Sequence, residues 1–256
     1  MTDGRGSLLF TWVGAWARSN RLVLGQLKTE DKSNEITAIP ELLRMLEIKG
    51  CIITIDALGC QKEIAAQIID QGGDYVLSLK GNQGLIQKDV EDYFYWAERR
   101  GFKGIEHSQC ESVDAEHGRV EVRRYYCTED IEWMEEKGKW KGLRSIGMVE
   151  SEREVDGEVT VERRYYLNSI KGEAEKFGEA VRGHWGIENS VHWVLDVTFR
   201  EDESRIRKEN GPENMAVLRQ IALNLLKKEA SCRRGVRGKR LKAGWDNRYL
   251  LAVLGI

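Results

Sequence analysis

Between Cys51 and Arg99 the chain alternates strand-like and helix-like segments, and that order leaves few ways to fold. Cys51–Asp56 (CIITID) is a short, continuously apolar run that ends in an acid. Such a run reads as a buried strand. Gln61–Asp70 has helical spacing and stops at Gly72-Gly73. Asp74–Lys80 (DYVLSLK) reads as a second strand ended by Gly81-Asn82, and Leu85–Arg99 as an amphipathic helix. Strand, helix, strand, helix in succession calls for a crossover and hence a parallel strand pair. Upstream, Leu8–Ala17 and Leu22–Lys28 resemble a hairpin around Arg18–Arg21. Asn34–Glu47 reads as a helix with Pro40 in its first turns or kinking it.

From Ile105 to Ile170 the pattern changes to alternation. Turn signals at Glu116-His117-Gly118 and Asp156-Gly157 lead into near-identical strands, Val120–Tyr126 and Val161–Tyr166. Two hairpins of this kind predict an antiparallel β module set between α/β segments. Helices return at Glu173–Val197 and, after the polar link Arg200–Glu203, at Asn214–Lys228.

A length of 256 residues allows one large domain or two small ones. The net charge of -2 carries no global nucleic-acid signature, so any DNA contact must come from local patches. The five cysteines lack zinc-ribbon or CxxC spacing, and Cys51 and Cys60 read as small core residues of a protein in a reducing cytosol. There is no signal peptide and no apolar run long enough to span a bilayer, which points away from a membrane partner.

His184, Glu188, His192 and Asp196 recur every fourth residue, which lays them along one helical stripe. Trp185, Ile187, Val191, Trp193, Val194 and Leu195 crowd the stripe, so its acids are expected in a cleft. Acids there must be paired, protonated or metal-bound, which leaves a structural network or a metal site. A zinc site on His184, Glu188 and His192 has neither an HExxH motif nor a Cys partner to support it. Trp185 and Trp193 read either as core or as stacking platforms for a flipped base.

Asp56 has two readings at its strand end: a cap for the helix near Cys60, or an acid pointing into a site. Asp56 with Glu188 makes two acids from distant segments, as a two-metal phosphoryl-transfer site requires. No P-loop, GxGxxG or GxSxG motif is present, which argues against nucleotide hydrolysis and dinucleotide chemistry. Ser231–Lys242 carries Arg233, Arg234, Arg237, Lys239, Arg240 and Lys242 with no acid among them. It reads as a solvated tail or as a phosphate-contacting arm.

Nearly the whole chain resembles the H-repeat-associated transposases of bacterial insertion sequences, a branch of the DDE transposases. The resemblance is carried by Val13–Ala17, Lys32–Leu43, Ile52–Glu63 (IITIDALGCQKE), Asp74–Gly84 (DYVLSLKGNQG), the two RRYY strands, His184–Arg207 and Asn224-Leu225-Leu226. It implies an α/β, ribonuclease-H-like mixed sheet with flanking helices, interrupted by an antiparallel β insertion. Residues 1–104 and 171–230 would form the discontinuous core, 105–170 the insertion and 231–256 a basic C-terminal tail. The resemblance further implies Mg²⁺- or Mn²⁺-dependent DNA strand cleavage and strand transfer. Asp56 matches the family's second catalytic Asp and Glu188 its Glu, both as metal ligands. Thr2–Ser7 echoes in shortened form the motif of the first catalytic Asp, which would be Asp3.

The strand that should precede that motif is absent, so the resemblance implies an N-terminally truncated member. Lys80 and Asn82 would touch phosphate, with Arg182 standing in for the family's DNA-clamping residues and His184 and His192 beside it. The implied partners are double-stranded DNA, as transposon ends and target, and further copies of the chain, in the bacterial cytoplasm on the nucleoid. Three functions stand: a DNA transposase, a non-catalytic DNA-binding or dominant-negative fragment, and a metal-dependent hydrolase on the His184–Asp196 stripe.

Overall fold

A computed structural model describes residues 11–18, 22–29, 35–116, 119–155, 157–206 and 208–256. Asp3, the first strand expected to be missing, and the turn residues at 117–118 and 156 lie outside the described residues. The chain forms two compact units, residues 39–184 and residues 1–38 with 185–256.

The larger unit is built on a six-stranded sheet. Strands β3 (Ile52–Ile55) and β4 (Asp74–Leu79) pair in parallel, with α2 (Lys62–Asp70) in the crossover between them. This is the parallel pair that the sequence alternation predicts. Helix α3 (Gly84–Arg99) follows β4. Four antiparallel strands come next: β5 (Ser108–Glu116), β6 (Arg119–Thr128), β7 (Ser145–Val155) and β8 (Glu158–Asn168). The sheet order is β3-β4-β8-β7-β6-β5. The antiparallel strands therefore continue the sheet of the parallel pair, because β8 takes the second edge of β4, with Leu77 opposite Leu167. The result is a mixed α/β sheet flanked by helices, the fold class expected of a ribonuclease-H-like core.

Side chains alternate across the pleat, so each sheet face has its own core. On one face Leu77, Leu167, Ile146 and Met148 pack with Ile64 and Ile68 of α2 and Val90 and Phe94 of α3. On the other, Val76, Tyr125, Val149 and Tyr166 pack on Phe177 and Val181 of α4 (Ala174–Ile187). Each fully buried apolar side chain contributes about 1.5–3 kcal/mol. Across the face shared with α3, Glu111, Arg124, Glu150 and Arg163 alternate in sign along successive strands at 2.7–3.1 Å. Opposite charges facing one another across strands favour this register.

Strand β3 differs from its expectation. Among the described residues it is the outer strand of the sheet, and its four residues are half-buried rather than enclosed. Cys51 accordingly is exposed, not core, while Cys60 is buried. Burial pushes the Cys60 thiol up to about 12.

The smaller unit contains the antiparallel hairpin β1 (Thr11–Ala17) and β2 (Leu22–Thr29) and the C-terminal helices α5 (Trp193–Phe199), α6 (Gly211–Lys228), α7 (Val236–Trp245) and α8 (Asn247–Leu254). Helix α1 (Glu35–Arg44) takes Pro40 in its interior. Val191, Val194, Leu195 and Leu223 form one small core with Trp16 and Val23, and Leu226, Tyr249 and Val253 form a second. The basic C-terminal stretch is thus folded as α7 and α8. No helix among the described residues is long and apolar enough to cross a membrane.

Candidate active site

Asp56 follows the last residue of β3 and caps the 3-10 turn Ala57–Gly59. Its Oδ1 accepts from the backbone N–H of Leu58 at 3.1 Å and of Gly59 at 3.4 Å. A cap of this kind is worth about 1 kcal/mol. The capping reading is thus realised, on the turn before α2 rather than on a helix at Cys60. Both bonds fall on one oxygen and the residue is exposed, so the carboxylate keeps acceptor capacity for a cation. Gly59 makes the turn possible. A Cβ there would stand 2.3 Å from Ile55 Cγ2 and 2.7 Å from Ile39 Cδ1.

Lys80 occupies the matching place after β4, exposed, at the start of the 3-10 turn Gly81–Gln83. The parallel register sets Ile55 beside Leu77, so Asp56 and Lys80 stand at the carboxyl ends of neighbouring strands. Ligands gather at that end of parallel sheets. Gln83 Nε2 donates to the Cys60 carbonyl at 3.0 Å and ties the two end loops together. Beyond the end of β4, the Glu162 carboxyl of β8 is held below the usual range, chiefly by the Arg164 hydrogen bond, with Arg153 and Lys80 adding to it. Only the backbone of Asn82 is described.

The continuous helix expected over Glu173–Val197 is broken. Helix α4 ends at Ile187, Glu188–His192 is a π-turn, and α5 resumes at Trp193. A π-turn carries an extra residue and often marks a functional site. It also breaks the four-residue stripe. His192 and Asp196 are exposed, while Val191, Val194, Leu195 and Thr198 turn inward. The cleft expected around the stripe is therefore absent at these two positions, and a hydrolase site along it loses its alignment. Trp193 is 60% exposed rather than core. His184 is half-buried, and of Glu188 and Trp185 only the backbone is described.

Two contacts fix the approach to the π-turn. The ring of Trp16 in β1 lies against Gly186, where a Cβ would stand 2.8 Å from Cη2. Lys227 Nζ donates to the Ser190 carbonyl at 2.7 Å. Neither residue was singled out from the sequence for this role, although Lys227 falls at helical spacing from Asn224.

The expected DNA-contacting cations divide. Arg182 is already paired: it holds Asp114 of β5 at 3.1 Å, and Arg123 shares the same carboxylate at 2.9 Å. Lys239 is 11% exposed, and its ammonium donates to the carbonyls of Leu226, at 3.0 Å, and Glu229 at the end of α6. It caps that helix, where the dipole favours a cation. Arg240 lies over the Phe199 ring at 5.6 Å. Arg233, Arg234 and Arg237 are exposed.

The acids at issue, Asp56 and Glu188, are hard oxygen donors, which suit Mg²⁺ or Mn²⁺ and not a thiolate-preferring ion. Asp56 has the free acceptor capacity such an ion needs. Among the described residues no three His, Cys, Asp or Glu side chains are grouped to hold a metal, and the Glu188 side chain and Asp3 lie outside that set.

Residues 14–225 match the family model described as Transposase DDE domain. The Escherichia coli K12 protein YbfL is 43% identical over 249 residues, covering 94% of this chain and 65% of its own length. The same figures hold for the H repeat-associated putative transposase YhhI of that strain. A protein in the dhlA 3′ region of Xanthobacter autotrophicus is 44% identical over 155 residues, 60% of this chain and 51% of its own length. The chain thus spans 65% of the length of each of the two Escherichia coli proteins. With its matched segment running from the β1–β2 hairpin to the C-terminal part of α6, the chain belongs to the transposase DDE domain family, alongside the H repeat-associated proteins.

Proposed function

We propose that this chain carries the strand-cleaving and strand-joining centre of a DNA transposase, with Asp56 and Glu188 as its metal-holding carboxylates. The observation that carries the reading is Asp56 itself. It is an exposed acid at the carboxyl end of a parallel pair, braced through one oxygen, with Lys80 at the end of the next strand, in a chain of the DDE family. On this reading residues 1–104 and 171–230 are the core, 105–170 the β insertion and 231–256 the basic C-terminal segment. Asp3 would be the first acid.

Asp56 and Glu188 would hold Mg²⁺ or Mn²⁺, which when bound supplies charge stabilisation to the attacking and leaving oxygens of an in-line displacement at phosphorus. The protein groups do the positioning. Lys80, and Asn82 after it, would sit against the phosphate of the strand to be cut. Arg233, Arg234 and Arg237 are free to contact the backbone of double-stranded DNA away from the reacting bond. His192 ends the π-turn and the exposed Trp193 follows it, where the indole would stack on an unpaired base. Water oxygen forms the new bond to phosphorus, the P–O3′ bond breaks, and the proton lost by water passes to solvent. The departing 3′-oxygen takes up a proton, and the freed 3′-hydroxyl would then attack a phosphodiester of the target, a new P–O3′ bond forming as the target's own P–O3′ bond breaks and the hydroxyl proton passing through solvent to the target's departing 3′-oxygen. Such a protein would work in the bacterial cytoplasm, as several copies on DNA.

The exposed arginines support a second reading, a fragment that binds DNA without cutting it. Mn²⁺-dependent nicking of supercoiled plasmid separates the two. Cleavage that disappears in both Asp56→Asn and Glu188→Gln, with DNA retention unchanged, is expected of the transposase. Equal plasmid retention with no nicking in any form supports the fragment. Nicking that survives both substitutions rules out this acid site.

A further inference from the structure

We infer that one polar stripe of α6, Gln220, Asn224 and Lys227, positions the π-turn that begins at Glu188. The inference rests on the assignment of Glu188 to the acid site. Asn224 belongs to the Asn224-Leu225-Leu226 motif, which the reaction leaves without a role.

Residues 220, 223, 224 and 227 follow the spacing that puts side chains on one helix face. Leu223, fully buried, packs into the core made by Val191, Val194, Leu195, Trp16 and Val23. The polar members flank it, and each reaches a different part of the unit. Gln220 Nε2 donates to Gln26 Oε1 on β2. Asn224 grips the backbone of β2 twice: its Oδ1 accepts from Val23 N–H at 3.0 Å, and its Nδ2 donates to the Val23 carbonyl at 2.9 Å. This is the pairing a neighbouring strand would offer. Lys227, one turn on, donates to the Ser190 carbonyl inside the π-turn at 2.7 Å. The hairpin and the π-turn are therefore tied to a single rigid rod, at points about 4.5 Å apart along its axis.

A π-turn needs such a tie. Its hydrogen bonds are rarer and less regular than those of an α-helix, and short π segments persist where something outside the helix holds them. A charge-assisted bond is roughly twice as strong as a neutral one. Lys227 sits in the last turn of α6, where the helix dipole favours its charge. Its neighbour Lys228 is exposed. Loss of the tie would let the turn relax to α-helical winding. One residue fewer in the turn re-aims the residues before it against those after it by about 100°. Glu188 opens the turn, so the backbone position of residue 188 is what Lys227 fixes. Lys227 and Asn224 are thus positioning residues.

Hydrogen exchange and Mn²⁺ calorimetry on the whole chain test this. Lys227→Met should speed exchange of the amides at 188–193 about tenfold, leave β5–β8 unchanged, and weaken Mn²⁺ binding about tenfold. Lys227→Arg should restore both. Asn224→Asp, which keeps the acceptor and loses the donor, should show the same two effects in smaller measure, and it carries the test should Lys227→Met fail to fold. Unchanged exchange at 188–193 in Lys227→Met overturns the inference, as does faster exchange with undiminished Mn²⁺ affinity where Glu188→Gln loses that affinity. The parallel variant Glu188→Gln separates the two claims. If Glu188→Gln binds Mn²⁺ like the parent, the acid assignment fails, whereas the exchange data still decide whether α6 holds the turn.

Discussion

Gly186 lies two residues before Glu188, against Trp16, and its replacement by alanine should reverse sign with the partner present. A Cβ at position 186 would sit 2.8 Å from Cη2 and 2.9 Å from Cζ3 of Trp16. Comfortable carbon contacts are about 3.5–4.0 Å, so the overlap approaches an ångström. The indole cannot bend away as a flexible chain end could, and overpacking of this size costs about 1–3 kcal/mol. Alanine gains about 1 kcal/mol over glycine in a helix. Gly186→Ala should therefore destabilise by about 0–2 kcal/mol. In a Trp16→Ala background, itself costing about 3–5 kcal/mol, the overlap is gone. There Gly186→Ala should stabilise by about 1 kcal/mol. Urea unfolding followed by circular dichroism on the four proteins gives the cycle. Equal effects of Gly186→Ala in both backgrounds, within about 0.5 kcal/mol, would refute the contact.

Lys239→Met should uncap α6 and destabilise by about 1–3 kcal/mol in thermal or urea unfolding, whereas Arg237→Met, exposed two residues away, should fall within about 0.5 kcal/mol of the parent. The Glu229 carboxyl is held down to about 2, first by its Ser231 hydrogen bond and then by Tyr249, against an ordinary value of 4.5. A depressed acid stabilises the fold fully above 4.5 and loses that contribution as pH falls through about 2. The stability gap between parent and Glu229→Gln should therefore shrink across that window, and a gap unchanged at its lower end would contradict the assignment. Arg233→Ala, Arg234→Ala and Arg237→Ala should each lower the salt slope of DNA binding by about 1 on a log–log plot, and an unaltered slope in all three would remove α7 and its approach from the DNA surface.

The elements that could be read from sequence are those whose pattern belongs to one geometry. The apolar run Ile52–Ile55, the helical spacing of Ile64 and Ile68, and the doubled Gly72-Gly73 stop have one compact solution, and β3, α2 and β4 realise it. The antiparallel strands were legible from their two turns. What escaped the sequence was set by partners far along the chain. A four-residue repeat looks the same in a continuous helix and in one interrupted by a π-turn, and the contacts that Lys227 and Trp16 make beside the turn come from distant segments. Cys51 reads as core only if β3 is enclosed on both faces, whereas among the described residues β3 is an edge strand with half-buried side chains and Cys51 is exposed. The basic run at Arg233–Lys242 gives no hint that Lys239 turns inward, because a capping lysine and a solvated one have the same sequence signature. Asp56 was readable as a strand-end acid, and its two candidate roles turn out to be compatible: one oxygen caps, and the carboxylate keeps room for a cation.

On the proposed function, Asp56 and Glu188 act on one metal ion. The most direct measurement is Mn²⁺ calorimetry on the parent chain, Asp56→Asn and Glu188→Gln, with branched DNA present. Binding in the parent and its loss in each variant are expected. Binding in the parent that persists in both variants, or that one substitution removes while the other leaves it intact, would contradict it.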